Sequence, residues 1–279
     1  VASPFIEADE LFARRDDPSV RIVDARSMPH GAPGLVTITG AELYADGHIP
    51  GAVHIDYADH LADPATPWAA RVAPAERFAR AVGAFGIGDD TTVVAYDDGD
   101  IPYAARMLWM FRYYGHDAVF VLAGGLAAWR AGGYPITTEV PAYPLATFTP
   151  HVRPALRATR DDVLAVAEGR SAAQLLETQR DKTYAMRDRD IPGAIRLSGN
   201  ALLEDARGGR VAPRETLDAL VDGAGLDRSK HTIVTCGSGV SASGSYLALL
   251  EAGFTDLAVY DGSWAEWSHD ALPTVPKKH

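Results

Sequence analysis

Thr232-Ile233-Val234-Thr235-Cys236-Gly237-Ser238-Gly239-Val240-Ser241 is the stretch on which the reading of this chain turns. Its first four residues are β-branched, which suits a short buried strand. Its end runs into Ala242–Ala252, a small-residue and leucine pattern that predicts a helix. Between them, Gly237 and Gly239 allow the tight curl that a strand-to-helix hand-over needs, because glycine accepts positive φ without steric cost. A curled loop at a helix N-terminus turns several N–H groups toward one point, where an anion is stabilised. Cys236, the only cysteine in 279 residues, sits at that point. Cysteines near helix N-termini can have depressed pKa values, so the expectation is a stabilised thiolate and a nucleophile.

Working outward, strand-like runs alternate with helical ones. Val93-Val94-Ala95, Ala118-Val119-Phe120-Val121, Thr232-Ile233-Val234 and Leu257-Ala258-Val259 read as buried strands, and Ala104–Tyr114 as a helix. This alternation predicts an α/β fold of parallel sheets with helices on both faces, whose ligands bind beyond the carboxyl ends of the strands.

The pattern occurs twice. Arg21-Ile22-Val23-Asp24-Ala25-Arg26, Gly47-His48-Ile49-Pro50-Gly51-Ala52, Thr91–Tyr96 and Leu122–Trp129 are answered in the same order. Their counterparts are Gln174–Thr178, Ile191-Pro192-Gly193-Ala194, His231–Thr235 and Tyr260–Trp267. Two copies of one unit explain this order. Pro135, Pro141, Pro144, Pro150 and Pro154 fall between the copies and favour extended chain. The expected organisation is a first domain over residues 1–140, a proline-rich linker over 141–154 and a second domain, carrying Cys236, over 155–279.

Composition narrows the chemistry. A formal net charge of −11 disfavours a broad nucleic-acid surface. No apolar run reaches the ~20 residues of a membrane span, and no secretory signal is read at Val1-Ala2-Ser3-Pro4. One cysteine excludes an intrachain disulfide and a multi-cysteine zinc site, so a reducing, cytoplasmic setting without a metal is expected. The loop lacks the Lys of a phosphate-binding P-loop. Gly239-Val240-Ser241-Ala242-Ser243 lacks the final Gly of a hydrolase elbow. Ala242 stands where a cysteine phosphatase or arsenate reductase would place its arginine.

Taken together, these motifs resemble the tandem-domain rhodanese family, of the thiosulfate/3-mercaptopyruvate sulfurtransferase type. The Cys236–Ser241 loop, Gly47–Ala52 and Asp261–Trp267 each match a family signature. The resemblance implies two rhodanese-like domains, the first catalytically inert with Asp97 near the cysteine position. It implies transfer of sulfane sulfur through a Cys236 persulfide held by Gly237, Ser238, Gly239, Val240 and Ser241. The donor would be a small molecule, 3-mercaptopyruvate or thiosulfate, and the neutral loop favours the former. The acceptor would be a thiol, cyanide or a thioredoxin-like protein, with no organic cofactor. The resemblance also implies that His48 works with Ser238 in proton transfer.

One region departs from the pattern. Where Asp-x-Arg and a long loop are expected, Glu177-Thr178-Gln179-Arg180 leads in only ten more residues to Asp190-Ile191, and Asp190 replaces the signature His. Arg180, Arg187 and Arg189 are the cations left to meet a substrate. A non-catalytic module that binds or senses sulfur is the alternative this departure leaves open.

Overall fold

The computed structural model describes residues 3–27, 38–67, 71–98, 102–204 and 210–277. The chain clusters into two compact units. One takes Val1–Ala65, Val72–Arg153 and Arg207–Arg210; the other takes Thr66–Arg71, Pro154–Ala206 and Val211–His279.

The first unit runs β1 (Phe5–Ile6), α1 (Ala8–Arg14), β2 (Val20–Asp24), α2 (Gly40–Asp46), β3 (Val53–His54) and α3 (Tyr57–His60). It continues with α4 (Ala75–Ala84), β4 (Thr92–Tyr96), α5 (Tyr103–Tyr113), β5 (Val119–Leu122) and α6 (Gly125–Ala131). Its sheet has the order β1-β5-β4-β2-β3, and all its strand pairs are parallel. The second unit runs β6 (Arg157–Ala158), α7 (Arg160–Ala167), β7 (Gln174–Glu177), α8 (Asp181–Tyr184), β8 (Arg189–Asp190) and β9 (Ala194–Arg196). It ends with α9 (Arg214–Gly223), β10 (Thr232–Thr235), α10 (Val240–Glu251), β11 (Leu257–Tyr260), α11 (Ser263–His269) and β12 (Val275–Pro276). Its main sheet, β6-β11-β10-β7-β9, is again all parallel and repeats the first order. β8 and β12 form a separate antiparallel pair.

Parallel strands covered on both faces read as continuous apolar runs, and β2, β7 and β10 are buried at every residue. The repeat extends to single hydrogen bonds. Trp129 and Trp267 are both fully buried, and their indole N–H groups donate to Pro135 O at 2.8 Å and Pro273 O at 2.9 Å. Pro74 and Pro213 are the N-caps of α4 and α9, so both copies start this helix at the same residue type.

The proline-rich segment carries no helix or strand over residues 141–153, and it is laid along the first unit. Tyr143 donates to Gly51 O at 2.7 Å, and its ring covers the buried Arg21 guanidinium. Phe148 packs against Phe78 and Phe111. His151 N and Arg153 N donate to Tyr114 O and Tyr113 O.

Candidate active site

Cys236 follows β10 directly, in the middle of the second sheet, at the carboxyl end of its strand. α10 begins at Val240, two residues earlier than the sequence pattern suggests, with Gly239 as its N-cap. The two loop glycines serve different ends. Gly239 has φ +87°, and a Cβ there would stand 2.4 Å from Asp261 O. Gly237 is not left-handed; it makes room, since a Cβ would lie 3.1 Å from Gln179 Nε2. Ser238 is exposed, Ser241 half-buried and Val240 buried.

The thiol is 1% exposed. Gly239 N–H donates to Sγ at 3.1 Å, and the backbone N–H groups of Ser238 and Ala242 also favour its anion electrostatically. These N–H groups favour the charged form of the sulfur. Their effect on the resting thiol is nevertheless outweighed. Burial pushes the Cys236 thiol up, the Glu177 carboxylate pushes it further, and the three N–H groups oppose both. The stabilised resting thiolate expected from the helix N-terminus is therefore corrected: desolvation wins because water is excluded from the sulfur.

α11 closes the other side of the loop. Trp264 N donates to Cys236 O at 3.0 Å, and Ala265 N to Gly237 O at 2.9 Å. Ser263 is fully buried with φ +50°, a left-handed conformation that non-glycine residues rarely adopt. Its Oγ accepts from Cys236 N at 3.2 Å, donates to Tyr260 O at 2.8 Å and lies 3.9 Å from Sγ. Gly125, at φ +56°, stands at the corresponding start of α6 in the first unit. Sequence reasoning passed over Ser263. The Gly-to-Ser change between the two copies, at the start of matching helices, was the available signal.

In the first unit Asp97 stands in the cysteine's place, and its Oδ2 accepts from Ala104 N at 2.7 Å. That is a capping role at the start of α5, played by a carboxylate that has no sulfur to transfer. Gly99 and Asp100 of the same segment lie outside the described residues.

His48 is fully buried. Its Nδ1 lies 2.7 Å from Tyr44 O and its Nε2 3.0 Å from Glu139 O, while its ring stacks on Tyr44. Both ring nitrogens face backbone carbonyls, so the geometry makes His48 a structural bridge and gives no support to a proton relay.

The three candidate arginines separate. Arg189 is exposed and bonded to Thr274. Arg180 is half-buried as the N-cap of α8. Arg187 is buried, with Nη2 2.6 Å from Glu177 Oε2 and 2.5 Å from Asp190 Oδ1. Two carboxylates hold it, so its charge is spent within the fold. Gln179 stands where the family pattern has Arg; its N–H donates to Glu177 Oε1 at 2.7 Å, and its Oε1 is buried without a partner. Ala242, fully buried, brings no guanidinium to the loop, which agrees with setting a phosphatase aside. Among the described residues no cluster of three or more His, Cys, Asp or Glu is placed to hold a metal.

The rhodanese-like domain matches this chain over residues 7–132 and 160–270. The chain belongs to the rhodanese family. This rhodanese is 34% identical over 283 residues to the 3-mercaptopyruvate sulfurtransferase of Escherichia coli K12, covering 98% of both chains. It is 34% identical over 278 residues to the thiosulfate sulfurtransferase of Bos taurus, covering 95% of this chain and 91% of that one. The solved structure of the Escherichia coli 3-mercaptopyruvate sulfotransferase SseA is similar at a TM-score of 0.84 and 32% identity, over 94% of this chain and 99% of that one. The two-domain rhodanese fold expected from the sequence is thereby established.

Proposed function

We propose that this rhodanese is a sulfurtransferase that carries sulfane sulfur as a Cys236 persulfide, with 3-mercaptopyruvate as the preferred donor. The observation that carries the reading is the buried Cys236 sulfur at the strand-to-helix turn, held by the Gly239 N–H at 3.1 Å. Fixed donors in a dry site stabilise charge as it develops, without reorganising at the moment of reaction. In the first half-reaction Cys236 sulfur bonds to the sulfur of 3-mercaptopyruvate as the donor's C–S bond breaks. The electron pair stays on carbon as the enolate of pyruvate, which takes up the proton lost from Cys236. The balance is Cys–SH plus HS–CH2–CO–COO⁻ giving Cys–S–SH plus CH3–CO–COO⁻. The exposed Ser238 hydroxyl is the loop's group for passing that proton. A thiol or cyanide then takes the outer sulfur and restores Cys236. A thioredoxin-like dithiol protein is one acceptor of this class. A single thiol that has to stay reduced suits a reducing compartment such as the cytoplasm. Among the described residues no helix is long and apolar enough to cross a membrane.

The neutral loop supports the choice of donor. Gly237 and Ser238 bring no cation to the sulfur, and Arg187 is neutralised by Glu177 and Asp190. Thiosulfate, a compact dianion, would meet the Glu177 field without a loop cation to offset it.

Intact-mass measurement after exposure to 3-mercaptopyruvate tests the proposal. A gain of one sulfur, about 32 Da, with one pyruvate released per chain is expected for the wild type and is expected to vanish in Cys236→Ser. Absence of the adduct with both 3-mercaptopyruvate and thiosulfate would overturn it. The deep burial of Sγ favours one competing reading, a module that binds sulfur without turning over; loading without release to cyanide or a thiol would select it.

A further inference from the structure

The buried arginine beside the catalytic loop comes from an unexpected place. In the first unit the strand end supplies both partners: Arg26 Nη2 lies 2.6 Å from Asp24 Oδ2, and the same guanidinium donates to Leu43 O and Gly47 O. In the second unit Glu177 takes the place of Asp24, and Gln179 takes the place of Arg26. A carboxylate 1% exposed without a counter-ion is costly, because an unpaired buried charge recovers little of its lost hydration. The guanidinium is restored by Arg187, which returns from the turn after α8.

Arg187 reaches both walls of the Cys236 loop. Glu177 ends β7, and its register partner Thr235 is the residue before Cys236. On the other side the Arg187 guanidinium carbon lies 4.5 Å from the ring centre of Trp264, whose N–H holds Cys236 O. It also lies 4.6 Å from the ring of Tyr184, and Tyr184 is bonded through its hydroxyl to Asp190. Arg187 Nε and Nη1 have no hydrogen-bond partner, which leaves aromatic contact as their surroundings. Meanwhile Gln179 bonds Glu177 through its backbone N–H alone, and its side-chain amide lies against Gly237.

We propose that Arg187 is a positioning residue for sulfur transfer: supplied from outside the strand, it ties the β7 wall to the α11 wall and so fixes the loop that carries Cys236. The proposal deepens the sulfurtransferase reading and rests on it. It assigns Arg187 a role in the fold of the site in place of contact with the donor. It also makes Glu177 the charge through which the arginine is felt at the sulfur. The groups facing Glu177 are Arg187, the Arg196 guanidinium on β9 and the Gln179 N–H; those facing Arg187 are Asp190 and Tyr184. Burial and Asp190 push Tyr184 up to about 12, so it stays protonated through the range in which the loop works.

The test uses the full-length protein and two readouts, the pH profile of Cys236 alkylation by iodoacetamide and the rate of persulfide loading from 3-mercaptopyruvate. Arg187→Met is expected to move the alkylation midpoint to higher pH, since Glu177 then bears on the thiol without its counter-ion. Loading is expected to slow about 10-fold to 100-fold through misplacement of the loop. Arg187→Lys keeps the charge and loses the planar fork, so a smaller shift is expected. The decisive variant is Gln179→Arg combined with Arg187→Met, which rebuilds the arrangement of the first unit. It is expected to restore the midpoint and return loading to within about 3-fold of wild type, the scale of an otherwise intact site. An Arg187→Met protein that melts at lower temperature with an unchanged alkylation profile would overturn the proposal, as would failure of the double variant to improve on Arg187→Met. Alkylation does not depend on sulfur transfer. A wild type that never loads sulfur would therefore sink the functional reading while leaving the alkylation test of the network intact.

Discussion

Replacing Gly239 by alanine puts the loop geometry under direct test, and two other glycines isolate its components. Gly239 combines φ +87° with a backbone oxygen 2.4 Å from the position a Cβ would occupy. Gly169 shares the left-handed backbone, at φ +71°, with nothing within 4 Å of its Cβ position. Gly223, the last residue of α9, has neither feature. Gly223→Ala is expected to be neutral or stabilising by up to about 1 kcal/mol, because alanine loses less backbone entropy on folding. Gly169→Ala is expected to cost about 1–2 kcal/mol, the penalty of a left-handed L-residue. Gly239→Ala adds an overlap that only movement of the Asp261 backbone can relieve, worth about 1–3 kcal/mol more. That movement displaces the 3.1 Å donor to Sγ, so persulfide loading is expected to fall at least about 10-fold. Chemical denaturation of the three variants, followed through the tryptophans, reads the stabilities; intact mass reads the loading. If Gly239→Ala were as stable as Gly169→Ala and loaded sulfur normally, the close approach to Asp261 would have no consequence and the reasoning would fail. Equal losses at Gly223 and Gly169 would refute the backbone argument itself.

Cys236 should also give the protein an alkaline sensitivity. Its thiol is raised in the folded state, so the stabilisation is complete below the ordinary thiol value and is lost as pH rises through the higher folded value. Denaturation midpoints of the wild type should therefore fall relative to Cys236→Ala in the alkaline range only; parallel curves there would refute it. Ser263→Ala removes the acceptor of the buried Cys236 N–H and keeps the left-handed backbone strain. A loss of about 1–3 kcal/mol is expected, and a drop in kcat larger than any change in KM. Wild-type kinetics in Ser263→Ala would remove Ser263 from the site.

The fold was legible because its signals are local and doubled. Strand runs such as Thr232–Thr235 and the paired tryptophans can be read from residue type and order alone, and the second copy checks the first. The loop was legible for the same reason, since two glycines between a β-branched run and a helix leave few conformations. What could not be read was the balance of forces at the sulfur. Burial of Cys236 and the nearness of Glu177 come from strand pairing in space, where β7 lies beside β10. Nothing in the neighbourhood of Cys236 along the chain announces Glu177. Arg187 was noticed only as one cation among three, since an arginine that crosses from another element leaves no fixed spacing to find. His48 shows the reverse case: a motif position that suggests chemistry, occupied by a ring whose two nitrogens both face main-chain carbonyls.

The proline-rich segment bears on where this chain can be divided. Tyr143 shields Arg21, Phe148 completes an aromatic cluster, and Arg153 N still bonds back to Tyr113. A cut at residue 140 would thus unroof the N-terminal half, leaving a guanidinium bare and Phe78 partly wet. A cut after Arg153 would carry the roof along. Limited proteolysis, domain exchange with relatives and expression of either half alone all meet this asymmetry: residues 141–153, part of the stretch that looks like slack in the sequence, act as the last element of the first half.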